Sequence, residues 1–214
     1  MLPADAPESR PPARTVGVIL ASGLSRRLGQ PKQLVLLAGQ ALIWHATRAM
    51  LEAAPSGGVL VVTPSGELGG RIRAALGELD VRFAENPQPE LGISESFRVG
   101  IAALPTGTGA ASFALGDMPL VSTQMQRAVL EAYETTRAPM VLARFGPQGV
   151  RAPPHLFRAD LFGHFGQPGD HGPRHLIEQF RDRAVWVDLP ASALRDLDTP
   201  EDARAMQAIF EHGF

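Results

Sequence analysis

The chain has 214 residues, 44% of them hydrophobic, and a formal net charge of −2. That length and apolar content suit one α/β domain with a sizeable core, and the near-neutral charge gives no electrostatic case for nucleic acid. No apolar run approaches the ~18 residues of a membrane span, and the absence of cysteine removes disulfides, thiolate metal sites and cysteine nucleophiles, making the cytoplasm the expected location.

Residues 1–14 are rich in Pro, Ala and charge and lack the apolar stretch of a signal peptide. They read as a disordered tail ahead of a single domain over 15–214. Thr15–Ala21 (TVGVILA) is a β-branched apolar run, expected as a buried first strand. A polar loop with glycines, Ser22–Gln33, follows. Leu42–Ala54 has helical spacing and stops before Pro55. Val59–Thr63 reads as a strand, Arg71–Leu79 as a helix and Val81–Ala84 as a third strand. Ser94–Leu104 reads as a helix with a serine at its cap. Ala111–Leu115 is a fourth strand running into Gly116-Asp117, Ser122–Thr136 a long helix and Met140–Ala143 a fifth strand. Arg151–Arg174 shows no clean alternation; weak helices near Leu156–Phe165 and Arg174–Phe180 suggest an insertion over a site. Val185–Asp188 is a late strand, and Thr199–Phe210 a final helix with a capping-box start. Alternating strands and helices imply a three-layer αβα fold with a mostly parallel sheet. Ligands of such sheets sit at the carboxyl ends of the strands, which directs attention to the loops after Ala21, Ala84 and Leu115.

The first of these loops carries an unusual residue. Of the 20 basic side chains, 19 are arginines and one is a lysine, Lys32. It closes the segment Leu20-Ala-Ser-Gly-Leu-Ser-Arg-Arg-Leu-Gly-Gln-Pro-Lys32, in which Gly23 and Gly29 permit a tight turn whose backbone N–H groups can cradle phosphates. Neither the Walker pattern nor G-x-G-x-x-G is present. Asp117, directly after a buried strand, suits Mg²⁺, a cation of oxygen ligands that bridges to phosphates. His171 and His175 are spaced i, i+4, but no third ligand or H-E-x-x-H pattern supports zinc.

The segment LASGLSRRLGQPKQL resembles the signature L-A-[AG]-G-x-S-x-R-M-G-x-x-K of the MobA-like nucleotidyltransferases, and within them most resembles the molybdenum cofactor cytidylyltransferases. Leu20, Ala21, Gly23, Ser25, Arg27, Gly29 and Lys32 match; Ser22 and Leu28 depart from it. The resemblance implies a Rossmann-like fold of the nucleotide-diphospho-sugar transferase type. It implies that this loop, with Ser22 beside the base, binds the NTP, and that Lys32 and Arg27 belong to the catalytic set with Asp117. Glu85–Gly100 is similar to the family's N-x-x-x-x-x-G-M-S-x-S-L-R-x-G, which places Gly92, Ser94 and Ser96 beside the nucleoside. Gly116-Asp-Met-Pro119 matches G-D-M-P, with Asp117 a metal ligand. Asp196-Leu-Asp-Thr-Pro-Glu-Asp202 matches D-[IL]-D-T-P-E-D, with Asp198 a second metal ligand and Asp196 the alternate. Pro168–Arg174 is similar to G-D-x-G-A-R, with Asp170 and Arg174 facing the acceptor. Arg151-Ala-Pro-Pro-His departs from the family's Arg-Gly-His-Pro at two positions.

The expected reaction is CMP transfer from CTP to a molybdopterin-type cofactor with release of pyrophosphate, using Mg²⁺. Expected partners are CTP or another NTP, the pterin cofactor, and a molybdoenzyme or its maturation factor, with no nucleic acid and no membrane. The alternatives are guanylyl transfer to the same pterin, transfer to a sugar phosphate, or a non-catalytic module that delivers the cofactor to a molybdoenzyme. Lys32 together with Asp117 favours catalysis, because binding alone needs no metal clamp.

Overall fold

The first strand, β1 (Arg14–Leu20), is buried at every residue after Arg14. Side chains alternate across a strand, so Val16, Val18 and Leu20 face one core cluster and Ile19, with Ala21 beyond it, faces another. Gly17 lies where a helix crosses closely: a Cβ there would be 2.6 Å from Cγ of Met50. A strand covered on both faces is the centre of a layered α/β fold, and the rest of the chain supplies the cover.

The computed structural model describes residues 13–23, 30–165, 172–195, 197 and 200–212. After β1 come a short ribbon, β2 (Leu36–Leu37) and β3 (Gln40–Ala41), then α1 (Leu42–Glu52), β4 (Val59–Pro64), α2 (Gly66–Ala75), β5 (Arg82–Asn86), α3 (Ile93–Ala102) and β6 (Thr108–Leu115). These are followed by α4 (Thr123–Thr136), β7 (Met140–Phe145), β8 (Val150–Arg158), α5 (Arg174–Phe180), β9 (Ala184–Leu189) and α6 (Pro200–His212). The main sheet has seven strands in the order β5-β4-β1-β6-β8-β7-β9. Only β8 runs antiparallel to its neighbours. Phe97 of α3 and Leu176 and Ile177 of α5 cover one face; Ile43 and Met50 of α1, Ile72 of α2, and Val129 and Leu130 of α4 cover the other. The fold is thus the expected αβα sandwich with a mostly parallel sheet. Among the described residues no helix is long and apolar enough to cross a membrane.

The chain builds outward from β1 through β4 to β5, then crosses back to place β6 on the other side of β1. That reversal opens a crevice between the carboxyl ends of β1 and β6, the position where open α/β sheets bind ligands.

Three expectations need correction. The segment Leu156–Phe165 is not a weak helix in an insertion. Its first part completes β8, inside the sheet, and only Ala159–His164 is helical, as a 3-10 turn. The Pro153-Pro154 pair hid this strand. Both prolines precede the stretch of β8 that pairs with β6, His155–Arg158, and fall where its register with β7 shifts between Leu142 and Arg144, so no ladder bond is asked of them. The second helix is α2 at Gly66–Ala75, not Arg71–Leu79. Its glycine-rich first turn has poor helix propensity, but Gly69 is required by packing, since a Cβ would come within 1.8 Å of the Pro64 carbonyl oxygen. The third helix starts at Ile93 with Gly92 at its cap (φ 92°) and no side-chain cap bond, so Ser94 is not a cap. Ser122, by contrast, does cap α4, accepting from the Met125 N–H at 3.4 Å. The tail expected over residues 1–14 lies outside the described residues except for Ala13 and Arg14, and Arg14 belongs to β1; the capping role expected of Thr199 lies outside them as well.

The aromatic stack on the α3 face ties the central strands together. Phe113 is fully buried, and its ring lies 4.7 Å from that of Phe97 and 6.1 Å from that of Phe157. Phe113→Ala removes that ring from the centre of the sheet, and a loss of about 3–5 kcal/mol is expected. Urea unfolding is the check, with a lower midpoint at unchanged slope.

Candidate active site

The crevice is organised by a buried amide. Asn86 ends β5, has no exposed surface, and reaches across the carboxyl ends of the strands. Its Nδ2 donates to Ser22 Oγ at 3.2 Å and lies 3.5 Å from Ser96 Oγ. Its Oδ1 accepts from the Gln88 N–H at 2.9 Å, which turns the chain toward α3. The two serine hydroxyls share a further hydrogen bond of 2.5 Å. One neutral network therefore joins the loop after β1, the end of β5 and the first turn of α3. Ser22 is 2% exposed, so its hydroxyl is committed to this network rather than turned outward to the crevice.

The same loop is held from its other side. Gln33 is buried, and its Nε2 donates to the carbonyls of Ala21 (3.3 Å) and Gly23 (2.7 Å). Gln33 belongs to the 3-10 turn Lys32–Leu34, so these bonds also bring half-buried Lys32 to the loop. Across the crevice, the Gly116 N–H donates to the Leu20 carbonyl at 2.9 Å. A Cβ on Gly116 would meet Ile43 Cδ1 at 2.5 Å and Ala21 Cβ at 3.1 Å. Glycine at this position lets the end of β6 close against the end of β1, and half-buried Asp117 follows directly.

The structure therefore brings Leu20, Ala21, Ser22, Gly23, Lys32, Ser96 and Asp117 to one crevice. Gly92 and Ser94 lie at the start of α3, where Ser94 Oγ accepts from the Gly172 N–H at 2.9 Å and ties α3 to the chain entering α5. Arg174, the first residue of α5, lies further along the same rim. Ser25, Arg27, Gly29, Asp170, His171, Asp196 and Asp198 fall outside the described residues. Leu197, between the last two aspartates in sequence, is buried in a cluster with Leu120 and Val121. Two residues of the crevice, Asn86 and Gln33, were not singled out from sequence. Asn86 ends a strand and falls on the asparagine that opens the N-x-x-x-x-x-G motif, a signal passed over in favour of the glycine and serines that follow it, and Gln33 has no signal beyond its place beside Lys32.

Beside the crevice lies a cavity of about 430 Å³ between α3, the start of β8 and α5. Ile93, Phe97, Leu115, Pro153, Pro173 and Ile177 make its walls apolar, and Arg151, His155, Arg174 and Glu178 add polar groups. Arg151 and Glu178 form an ion pair at 2.7 Å, and the Arg151 guanidinium holds the Glu178 carboxyl below the usual carboxylate range. Because β8 is antiparallel, its first residues lie at the carboxyl ends of the other strands, so the cavity opens on the same side of the sheet as Asp117.

Comparison with known proteins places this geometry. Residues 17–184 match the MobA-like NTP transferase domain. The chain is 36% identical over 128 residues to 2-C-methyl-D-erythritol 4-phosphate cytidylyltransferase of Streptomyces coelicolor, a match covering 58% of this chain and 47% of that protein. It is 35% identical over 108 residues to a probable molybdenum cofactor guanylyltransferase of Haloferax mediterranei, covering 50% of this chain and 49% of that protein. The match thus spans about half the length of each of these curated relatives. Among solved structures, Rv0371c from Mycobacterium tuberculosis superposes with a TM-score of 0.77 at 22% identity, covering 92% of this chain and 98% of that one. CMP:2-keto-3-deoxy-manno-octonic acid synthetase complexed with CTP superposes with a TM-score of 0.72 at 15% identity, over 92% and 98% of the two chains. These structural likenesses establish the fold: a Rossmann-like domain of the nucleotide-diphospho-sugar transferase type.

Removing the Asn86 amide leaves both serine hydroxyls and the Gln88 N–H short of a partner in a dry site. Asn86→Leu is expected to cost about 2–3 kcal/mol of unfolding free energy, since buried groups left unmade cost about 1–3 kcal/mol each and the serines can still bond to each other. Because Asn86 and Ser96 share one network, a double-mutant cycle with Ser96→Ala should be non-additive by about 0.5 kcal/mol or more. Additive losses in chemical denaturation would show that the network does not act as a unit.

Proposed function

Because this chain belongs to the MobA-like NTP transferase domain family, we propose that it transfers CMP from CTP to the terminal phosphate of a molybdopterin-type cofactor, releasing pyrophosphate. The observation that carries this reading is the juxtaposition, at the strand-order reversal, of the loop Ala21–Gly23, the sole lysine and Asp117. The loop is held by neutral hydrogen bonds from Asn86, Ser96 and Gln33, so Gly23, its exposed end, can meet a phosphate chain without reorganising. Lys32 enters beside it as a compact cation for the phosphates.

Among the described residues no group of three or more His, Asp or Glu side chains gathers as a metal site. A single carboxylate completed by substrate oxygens is the donor set that Mg²⁺ accepts, and Asp117 fits that role. Asp198 is the proposed second carboxylate, its neighbour Leu197 being packed against Leu120 and Val121, just past Asp117. When bound, the metal neutralises charge on the phosphates. The acceptor's phosphate oxygen is already anionic and needs no general base. Its bond to the α-phosphorus forms as the bond to the β-phosphate oxygen breaks, and Lys32, with Arg27 and Ser25 of the same segment, stabilises the departing pyrophosphate. Arg174, with Asp170 upstream, orients the acceptor from the α5 side.

The cytidylyl reading rests on position 22. A side chain there fills space beside the loop that a glycine would leave open, which favours the smaller pyrimidine. The relatives include one named for cytidylyl and one for guanylyl transfer, so base choice is measured rather than inherited. In a pyrophosphate-release assay with purified molybdenum cofactor, CTP is expected to exceed GTP in kcat/KM, and Ser22→Gly to raise relative GTP use. Equal or better use of GTP by the parent enzyme would replace cytidylyl by guanylyl transfer and leave the nucleotidyl reading in place.

Asp117→Asn is nearly isosteric and should abolish most turnover while leaving the melting profile unchanged; normal rates at saturating Mg²⁺ would remove Asp117 from the metal site. Lys32→Met should lower kcat on the order of 10²-fold, by analogy with loss of one charge-stabilising donor. Lys32→Arg should restore only part of it, because the planar fork is larger and differently hydrated.

A further inference from the structure

Ser94 and Ser96 stand two residues apart in α3, which begins at Ile93. An α-helix turns about 100° per residue, so side chains two apart leave the axis about 200° from each other, on opposite sides of the turn. The hydrogen bonds follow that geometry. Ser96 Oγ lies in the network with Ser22 and Asn86, against the loop after β1. Half-buried Ser94 turns the other way, and its Oγ accepts from the Gly172 N–H at 2.9 Å, across 78 residues of chain. Gly172 is buried at φ 80°, and a Cβ there would come within 3.2 Å of Ile93 Cγ2. The turn that leads into α5 is therefore seated on the first turn of α3 by close packing and by a directed bond. The helix α5 depends on such a seat. It has seven residues, Pro173 at its cap makes no side-chain cap bond, and a helix so short is not stable by itself. Leu176 and Ile177 bury one side of it, but apolar contact is non-directional and does not set the entry angle. Arg174, two residues past Gly172, reaches the cavity beside the crevice from this entry turn.

We propose that Ser94 is a positioning residue for the acceptor and not a contact of the nucleoside: by holding the Gly172 amide it fixes the turn that aims Arg174 into the cavity. The proposal rests on the nucleotidyl-transfer reading above and gives Ser94 a place on its acceptor side. The first turn of α3 then sets the distance between the two substrates. Ser96 fastens it to the loop that meets the triphosphate, and Ser94 fastens it to the turn that meets the acceptor. In-line attack needs the reacting atoms about 3–3.5 Å apart, and a misplacement of about 1 Å can cost on the order of 10²-fold in rate. A guanidinium grips a phosphate through two parallel bonds, so its aim matters more than that of a point charge. Loss of the Ser94 hydroxyl would leave the Gly172 N–H without this acceptor in a buried turn, and the entry to α5 would lose its directed constraint.

The test uses the full-length protein in the pyrophosphate-release assay with CTP and purified molybdenum cofactor. Ser94→Ala should lower kcat/KM for the acceptor on the order of 10-fold and leave the KM of CTP, and its affinity by calorimetry, unchanged. Ser94→Thr keeps the Oγ acceptor and should restore most of the loss. Because Ser94 acts through Arg174, Ser94→Ala should cost little more in an Arg174→Ala background. Hydrogen exchange in the wild-type protein supplies a readout that needs no variant. The Gly172 amide should exchange more slowly when the molybdenum cofactor is added, and not when CTP alone is added. Weakened CTP binding in Ser94→Ala, or acceptor kinetics unchanged in that variant, would overturn the proposal. So would losses fully additive with Arg174→Ala, or a Gly172 amide that CTP alone protects or that ignores the cofactor. Failure of the nucleotidyl reading looks different: the wild-type protein releases no pyrophosphate from any NTP and acceptor, while exchange at Gly172 still reports whether the cofactor seats that turn.

Discussion

The crevice depends on one side chain that has no exposed surface. Asn86 spans the ends of three chain segments, and each of its polar groups is used: two donations toward Ser22 and Ser96 and one acceptance from Gln88. A buried amide without those partners would cost more than it contributes. The loop after β1, the turn after β5 and the start of α3 are consequently correlated: none can shift without breaking a bond in a dry environment. Gln33 and Gly116 extend the constraint to Lys32 and to Asp117. The topology brings these segments to one edge, and the network sets their spacing within it.

Most of the fold was legible because its signal is local. The strands β1, β4, β6 and β7 are largely buried apolar runs, β9 is a half-buried one at the sheet edge, and α1 and α4 have clear helical spacing. The misreadings share a cause in tertiary context. The Pro153-Pro154 pair argues against a strand, and only the register shift opposite Leu142 and Arg144 makes room for it. Gly66, Gly69 and Gly70 argue against a helix, and only the approach of Gly69 to the Pro64 carbonyl shows why α2 runs through them. The site divides in the same way. Ser22, Lys32, Ser96 and Asp117 stand in recognisable segments, so their presence at one crevice could be anticipated. Asn86 and Gln33 work through partners 64 and 10–12 residues away in the chain, and no pattern of spacing announces that. Ser22 was expected beside the base; its burial assigns its hydroxyl to the network, so any influence of the side chain on base choice is one of volume.

The cavity beside the crevice shows how a departure from a pattern can be informative. Pro153 occupies a position where the resembled motif has histidine, and the chain's own histidine comes two residues later. Side chains two apart on a strand share a face, and Pro153 and His155 both line the cavity. The imidazole is therefore retained on that wall but is set deeper, against the β7 backbone and away from the exposed rim.

Neutral and charged groups are segregated across the whole site. Asn86, Ser22, Ser96, Gln33 and His155 are buried and uncharged, while Arg151, Arg174 and Glu178 are exposed and Lys32 and Asp117 half-buried. Charges taken fully out of water would be penalised by desolvation and would shift toward neutrality. Neutral donors and acceptors keep their geometry whether or not a highly charged ligand is present. The arrangement assigns position to the buried neutral groups and charge complementarity to the rim, so the groups that define the crevice do not change protonation state when a charged ligand comes or goes.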